Sequence, residues 1–294
     1  MATNRALKGR IRSIGNTRKI TRTMELVATS KLKRAQDRVV ASRPYAKALR
    51  DVIADLATPD LAGQFPLLHR PPTPAQGGPS RAVVILITSN RGLAGGFNTN
   101  LIKEAKRRIE ALEAEGYTVE LIGVGKKGVG FFKYIGRKCR IERPDIGDRP
   151  TAEHAESLVE ELISEFVAGK IGVVEMVQSS FISVLVTPPI TVRLLPIEPP
   201  ETQGKASRPN YIFAPDPATL LEALLPLYVR NQAYRGLVET VAAEQASRRT
   251  AMKSATDNAG DLIELLKRTY NRQRQAQITQ EIAELVGGAA ALQG

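Results

Sequence analysis

A chain of 294 residues with 43% hydrophobic residues is long enough to bury one large core or two small ones. Its apolar runs, as in RAVVILITSN and ISVLVTPPI, are broken by polar residues or proline well short of the about 18 residues that a membrane span needs, which excludes a transmembrane helix. One cysteine, Cys139, excludes an internal disulfide and any metal site built on cysteine pairs, and two histidines, His69 and His154, leave little for a histidine-based site.

The net charge of +12 is unevenly placed: residues 1–58 hold 14 Lys/Arg against 4 Asp/Glu, whereas 59–216 hold 19 against 18 and 217–294 hold 9 against 8. A basic first segment favours an acidic partner, which charge alone leaves open among nucleic acid, a lipid surface and an acidic protein.

The first element, residues 1–58, reads as one long helix. Helix breakers are scarce, and positions spaced alternately by four and three run Leu7, Ile11, Ile14, Arg18, Thr21, Glu25, Ala28, Leu32, Ala35, Val39. The polar lapse at Arg18, Thr21 and Glu25 is expected to be covered by a neighbouring stripe, Ile20, Met24 and Val27, as 3.6 residues per turn drift against a seven-residue repeat. Gly15 and Pro44 weaken the helix, and Pro44 should kink it. The opening MATNRALKGRIRSIGN lacks the apolar run of a secretory signal, so the expectation is a protein made and kept in a cytoplasm.

Residues 59–80, rich in proline and glycine, read as a linker. From 81 to 198 strand and helix signals alternate: AVVILITS, FNTNLIKEAKRRIEALEAEG, TVELIGVG, KKGVGFFKYIG, KCRIERPD, TAEHAESLVEELISEFVAG, IGVVEMVQSSF and PPITVRLLPI. Strands separated by helical stretches predict a parallel, Rossmann-like α/β layer with helices on its faces. A second linker, 199–215, leads to residues 216–294, where Asp216 and Pro217 form a helix start. Pro226 should bend or break this last helix, the spacing Met252, Ala255, Ala259, Leu262, Leu266 is again heptad-like, and Ile278, Ile282 and Leu285 resume it. Two long striped helices need a partner for their stripes, and each other is the economical choice. The fold class is therefore α/β, a long antiparallel coiled coil of the terminal helices with an inserted Rossmann-like domain.

Chemistry-bearing motifs are few. GVGKKG, Gly123–Gly128, matches GxGxxG after a strand and before a helix, which leaves a dinucleotide site or close helix–strand packing as its readings. SNRGLAGGFN, Ser89–Asn98, is a second glycine cluster with Asn98 available to cap a helix, but no Walker sequence follows. Glu160 and Glu161 fit a solvated helix face, and no Ser, His and Asp set is available. The sequence offers no catalytic residues, no metal site and no cofactor.

Read together, the ends resemble the gamma subunit of the F-type (rotary) ATP synthase. IRSIGNTRKITRTMELVATSKLKRAQDRVVASRPYA is similar to that family's amino-terminal helix, and EQASRRTAMKSATDNAGDLIELLKRTYNRQRQAQITQEIAELVGGAAA to its carboxy-terminal signature; SNRGLAGGFNTNL, GKKGVGFF and ITVRLLPI fit between them. The resemblance implies a non-catalytic rotary shaft, one copy per complex, coupling ion flow to ATP synthesis or hydrolysis at the beta subunits and regulating ATPase activity and proton flow. Its implied partners are the alpha and beta subunits of a catalytic hexamer, the epsilon subunit and the membrane c-ring, without a membrane span of its own. The basic first segment would suit an acidic segment of the family's beta subunit. Matched onto RQAQITQE and MELVA, contacts with the catalytic head would fall at Arg274, Gln275, Thr279, Glu281 and Met24, although Met24 could equally pack in the seam. A cysteine often seen in the RGLxGG loop is Ala94 here. The missing cysteine-bearing insertion of the plastid form favours a bacterial enzyme, placed peripherally on the cytoplasmic face of the plasma membrane. Two rivals follow from the residues themselves: a nucleic-acid-binding coil, which lacks base-reading side chains along its basic stripe, and a dinucleotide enzyme using GVGKKG.

Overall fold

The computed structural model describes residues 4–57, 61, 63–198 and 216–291, with side chains through residue 288; the linker expected at 199–215 lies outside these, as does part of that at 59–80. The chain runs α1 (Asn4–Leu56), β1 (Arg81–Ile87), α2 (Phe97–Ala114), β2 (Thr118–Val124), α3 (Lys126–Tyr134), β3 (Ile141–Arg143), α4 (Ala152–Val167), β4 (Val173–Ser179), β5 (Pro189–Leu195) and α5 (Pro217–Ala291). It divides into two units, residues 29–248 around the sheet and a second made of 1–28 with 249–294, so α1 and α5 each contribute to both.

In the sheet unit five strands lie in the order β3-β2-β1-β4-β5. β1 pairs in parallel with β2 and β4, and β2 with β3. The layer is parallel as expected except at β5, which pairs antiparallel to β4. Only residues 180–188 connect the two, and a parallel crossover needs a dozen or more. Successive residues of a strand point to opposite faces, and β1 divides its apolar run accordingly. Val83, Ile85 and Ile87 join a core with Leu49, Ile53 and Leu56 of α1, the inward residues of α4, and Leu221 to Leu237 of α5. Ala82, Val84 and Leu86 join a second core with Phe97, Leu101, Ala105, Ile109 and Leu112 of α2. Burial on both faces accounts for the apolar run from Ala82 to Ile87.

Buried charge is paired. Glu175 of β4, 2% exposed, accepts both arms of Arg108 at 2.7 and 2.8 Å and a third bond from Arg193 at 3.0 Å. Arg140 bridges Glu120, Glu161 and Glu165 at 2.7 to 3.0 Å and thereby ties β2 to α4.

α5 starts as expected: Asp216 Oδ1 accepts the Thr219 amide at 2.9 Å and Oδ2 its hydroxyl at 2.7 Å, which holds the Asp216 carboxyl below its ordinary pKa. Neither proline ends a helix, since α1 continues through Pro44 and the 75-residue α5 through Pro226. Of the two outcomes expected at Pro226, a bend or a break, the continuous helix excludes the break. Leu221, Leu225 and Val229 are buried on the sheet unit's core and hold the turn around it, so packing offsets the lost backbone hydrogen bond.

Candidate partner-contact surfaces

In the unit of 1–28 with 249–294, the two helices run antiparallel. Asn4 Nδ2 donates to Gln277 Oε1 at 2.6 Å, while further along α1 the hydroxyls of Thr21 and Thr256 meet at 2.8 Å. The α1 seam keeps the expected spacing at Leu7, Ile11, Ile14, Thr21, Glu25 and Ala28, all buried or half-buried, whereas Arg18, expected in the same series, is exposed. The polar lapse is not bridged by a neighbouring stripe, as the sequence suggested. Glu25 itself is 7% exposed, paired with Arg22 Nη1 at 2.8 Å, whereas Ile20 and Val27 are 61% and 50% exposed. Thr21 stays inward because Thr256 gives it a hydrogen-bond partner, and a satisfied polar pair can occupy a seam.

On α5 the inward residues include Met252, Ala255, Thr256, Ala259, Ile263, Leu266, Tyr270 and Gln273, so Met252, Ala255, Ala259 and Leu266 lie where the spacing put them. Leu262, assigned to the seam from sequence, is 40% exposed; Ile263 occupies that position. Ile278, Ile282 and Leu285 do not resume the seam either, being 46%, 56% and 74% exposed. Asn4, the first described residue of α1, already faces Gln277, so these residues lie past the described pairing.

That exposed end carries four of the sequence-derived contact residues. At about 100° per residue, Arg274, Gln275, Ile278, Thr279, Glu281, Ile282, Leu285 and Val286 share roughly half the circumference of α5. All are exposed. Gln277 receives Asn4 and in turn donates to Glu281 Oε1 at 2.9 Å, and Thr279 bonds back to the Gln275 carbonyl at 3.0 Å, so the polar members are held along the helix. The surface is an exposed apolar row of Ile278, Ile282, Leu285 and Val286 with Arg274 and Glu281 along one edge. Met24 is half-buried, beside the exposed Leu26 and Val27. Sequence reasoning missed Ile20, Leu26, Val27 and Leu265 as outward apolar groups; an apolar residue off the four-and-three spacing was the available signal.

In the sheet unit, the glycine motifs resolve into packing. A Cβ on Gly123 would come 2.4 Å from Val129 Cγ2, one on Gly125 would lie 2.1 Å from the Thr88 carbonyl oxygen, and one on Gly128 2.9 Å from Leu86. The amides that a pyrophosphate would need at the start of α3 are already used: Lys126 N–H donates to Asn90 Oδ1, Lys127 N–H to the Ser89 carbonyl and Gly128 N–H to Thr88 Oγ1. Asn98 does not cap α2 as expected, because Gly96 holds the cap position. Its side chain instead accepts the Ser89 amide and hydroxyl, both at 3.0 Å, tying the loop to β1. Leu93 in this loop has φ 64° and is 62% exposed, a strained and outward apolar residue that the sequence pattern did not single out.

Arg248, on the neighbouring stretch of α5, donates to the carbonyls of Arg91 and Gly92 and pairs with Glu244 at 2.6 Å. Burial nevertheless pushes the Glu244 carboxyl up, with Arg248 opposing. Glu160 and Glu161 are separate ion-pair partners of Arg230 and Arg140, and His154 Nδ1 accepts the Thr151 amide in the cap of α4. Among the described residues, no group of His, Cys, Asp and Glu could hold a metal ion, and no helix is long and apolar enough to cross a membrane.

A family model described as ATP synthase matches residues 3–292, nearly the whole chain. The ATP synthase gamma chain of Gemmatimonas aurantiaca is 56% identical over 295 positions, covering all of both chains. The chain belongs to the ATP synthase gamma chain family. A Leptospira biflexa member is 42% identical, across 99% of this chain and all of its own. The family fold recurs in solved structures. A chain of the mitochondrial ATP synthase of Euglena gracilis, in a structure of its OSCP, F1 and c-ring, matches with TM-score 0.69 at 19% identity over 98% of this chain and 94% of its own. One from the central stalk and c-ring of the Tetrahymena thermophila enzyme gives 0.57 at 20% over 80% and 99%.

Proposed function

We propose that the chain works as the central rotary shaft of an ATP synthase, a non-catalytic subunit present once per complex that couples ion flow through a membrane ring to nucleotide chemistry on its partners. The observation that carries this reading is the uninterrupted α5, 75 residues that contribute to both units and end in an exposed apolar stripe edged by charge. A shaft needs an element without a joint, and a continuous backbone hydrogen-bond ladder supplies one.

In this reading the segments 1–58 and 216–294 form the shaft and 81–198 the body that joins it to the epsilon subunit and the c-ring, with 59–80 and 199–215 as connections. Arg274, Gln275, Thr279 and Glu281, with Met24 on α1, contact the alpha and beta subunits of the hexamer. Ile278, Ile282 and Leu285 extend that surface. The basic first segment suits an acidic region of the beta subunit and speeds docking more than it sets torque. The bacterial relatives support a peripheral position on the cytoplasmic face of the plasma membrane.

Co-expression with partner alpha and beta subunits tests the proposal. One copy of the chain should co-purify with a hexamer, and a bead fixed to the sheet unit should turn during ATP hydrolysis. A catalytically active hexamer that excludes the chain, or a bead that stays still while ATP is consumed, would refute it.

A further inference from the structure

We propose that the cleft of the sheet unit between α1, the 144–149 loop and α5 binds a phosphate group, either inorganic phosphate or the terminal phosphate of a larger ester. The cleft encloses about 190 Å³ and is lined by Lys31, Arg34, Arg38 and Arg149 against a single carboxylate, Asp148. Lys31 pairs with that carboxylate, and Arg38 donates to the Asp148 carbonyl at 3.1 Å. Arg34 and Arg149 have no carboxylate partner among the described residues, so two guanidinium groups face the cleft uncompensated.

The second observation is independent of charge. Gln245 of α5 lines the same cleft, is 1% exposed, and neither its Nε2 nor its Oε1 has a hydrogen-bond partner. Native folds rarely leave both ends of a buried amide unpaired. An occupant must therefore offer an acceptor to the amide nitrogen and a donor to its oxygen. Carboxylate and sulfate offer acceptors only. Hydrogenphosphate brings acceptor oxygens and one hydroxyl, and its oxygens match the planar fork of arginine. Water also offers both functions but leaves Arg34 and Arg149 without a counter-charge. At about 190 Å³ the cleft is smaller than the roughly 300–1,000 Å³ of ordinary small-molecule pockets, a size for a phosphate group and not for a whole nucleotide.

The test is titration of the full-length chain with inorganic phosphate at physiological salt, read by calorimetry and phosphorus NMR, beside pyrophosphate, sulfate and acetate at matched ionic strength. We expect submillimolar phosphate binding, with sulfate and acetate weaker by about tenfold or more. Arg34→Gln with Arg149→Gln alters two exposed side chains and leaves folding intact, and should abolish binding. Gln245→Leu should erase the preference for phosphate over sulfate while leaving some anion affinity, a change that a purely structural glutamine would not produce; if that variant does not fold, the arginine pair still decides the matter. Pyrophosphate binding more tightly than phosphate assigns the cleft to the end of a larger ester, and the reverse order assigns it to free phosphate. Phosphate binding no better than sulfate or acetate, binding that survives the double arginine change, or no binding at all with water answering Gln245, would each overturn the proposal.

Discussion

Replacing Gly236 by alanine sets helix propensity against packing at the point where α5 crosses β4. In an open helix position alanine is favoured over glycine by about 0.8–1.0 kcal/mol. At Gly236 the added Cβ would stand 1.9 Å from Gln178 Oε1 and 2.4 Å from Met176 Cε, both on buried side chains of β4. Both atoms are the free ends of flexible side chains, but each side chain is buried and must displace packed neighbours to move; overpacking of this kind costs about 1–3 kcal/mol, so the net change is a destabilisation on the order of 1 kcal/mol. Gly15 is the control, since nothing lies within 4 Å of its Cβ position and Gly15→Ala should stabilise its helix by up to about 1 kcal/mol. Urea unfolding followed by circular dichroism, with amide exchange of β4 peptides to localise the effect, should move the two variants in opposite directions. If Gly236→Ala stabilises as much as Gly15→Ala and β4 exchange is unchanged, α5 does not approach the sheet as closely as argued.

Other outcomes are equally specific. Ile282→Asp with Leu285→Asp should leave the isolated chain's stability within about 0.5 kcal/mol because both side chains are exposed. Assembly with alpha and beta subunits should weaken by about tenfold or more per residue, measured by co-purification or binding kinetics. Ala259→Pro, at a half-buried seam position, should cost about 3 kcal/mol or more and uncouple ATP turnover from ion pumping or block assembly; normal coupling in membrane vesicles would contradict the seam. Burial pushes the Cys139 thiol up, so alkylation by iodoacetamide near pH 7 should be slower than that of a free thiol and should recover on unfolding in urea. Arg140 holds the Glu165 carboxyl, and Arg107 that of Glu104, below the ordinary 4.5, so their stabilisation is complete above that pH and is lost on acidification below it; Arg140→Met should flatten the acid limb of the stability curve.

The alternation of strands and helices was legible because β1, β2, β4 and β5 are short and largely apolar, β3 with Glu142 and Arg143 being the exception, and the long helices because their stripes recur for many turns. Three local choices were decided elsewhere. Helix α5 passes Pro226 because Leu221, Leu225 and Val229 are buried in the sheet unit, a tertiary effect invisible to local propensity. The seam keeps Thr21 and Glu25 because Thr256 and Arg22 satisfy them, and hydrophobic periodicity cannot register a polar pair. Reading Leu262 in place of Ile263 is a one-residue phase error, which a window of similar apolar residues does not resolve. As for the candidate contacts, the family motif located Arg274, Gln275, Thr279 and Glu281, but the exposure of Ile278, Ile282 and Leu285 depended on where pairing with α1 gives out.

The hydroxyl pair of Thr21 and Thr256 has a consequence for how the coil carries load. Sliding one helix past the other by a single seam step would part the two hydroxyls and set Thr256 against Arg18 or Glu25; because each hydroxyl also bonds a carbonyl of its own helix, at Arg18 and Met252, the loss is that of one hydrogen bond, about 0.5–1.5 kcal/mol. A purely alanine and leucine seam would have several alignments of nearly equal energy. With one polar tooth engaged, the two helices favour one index, so the outward residues Ile20, Leu26 and Val27 on one helix keep their phase with the exposed Ile278, Ile282 and Leu285 on the other.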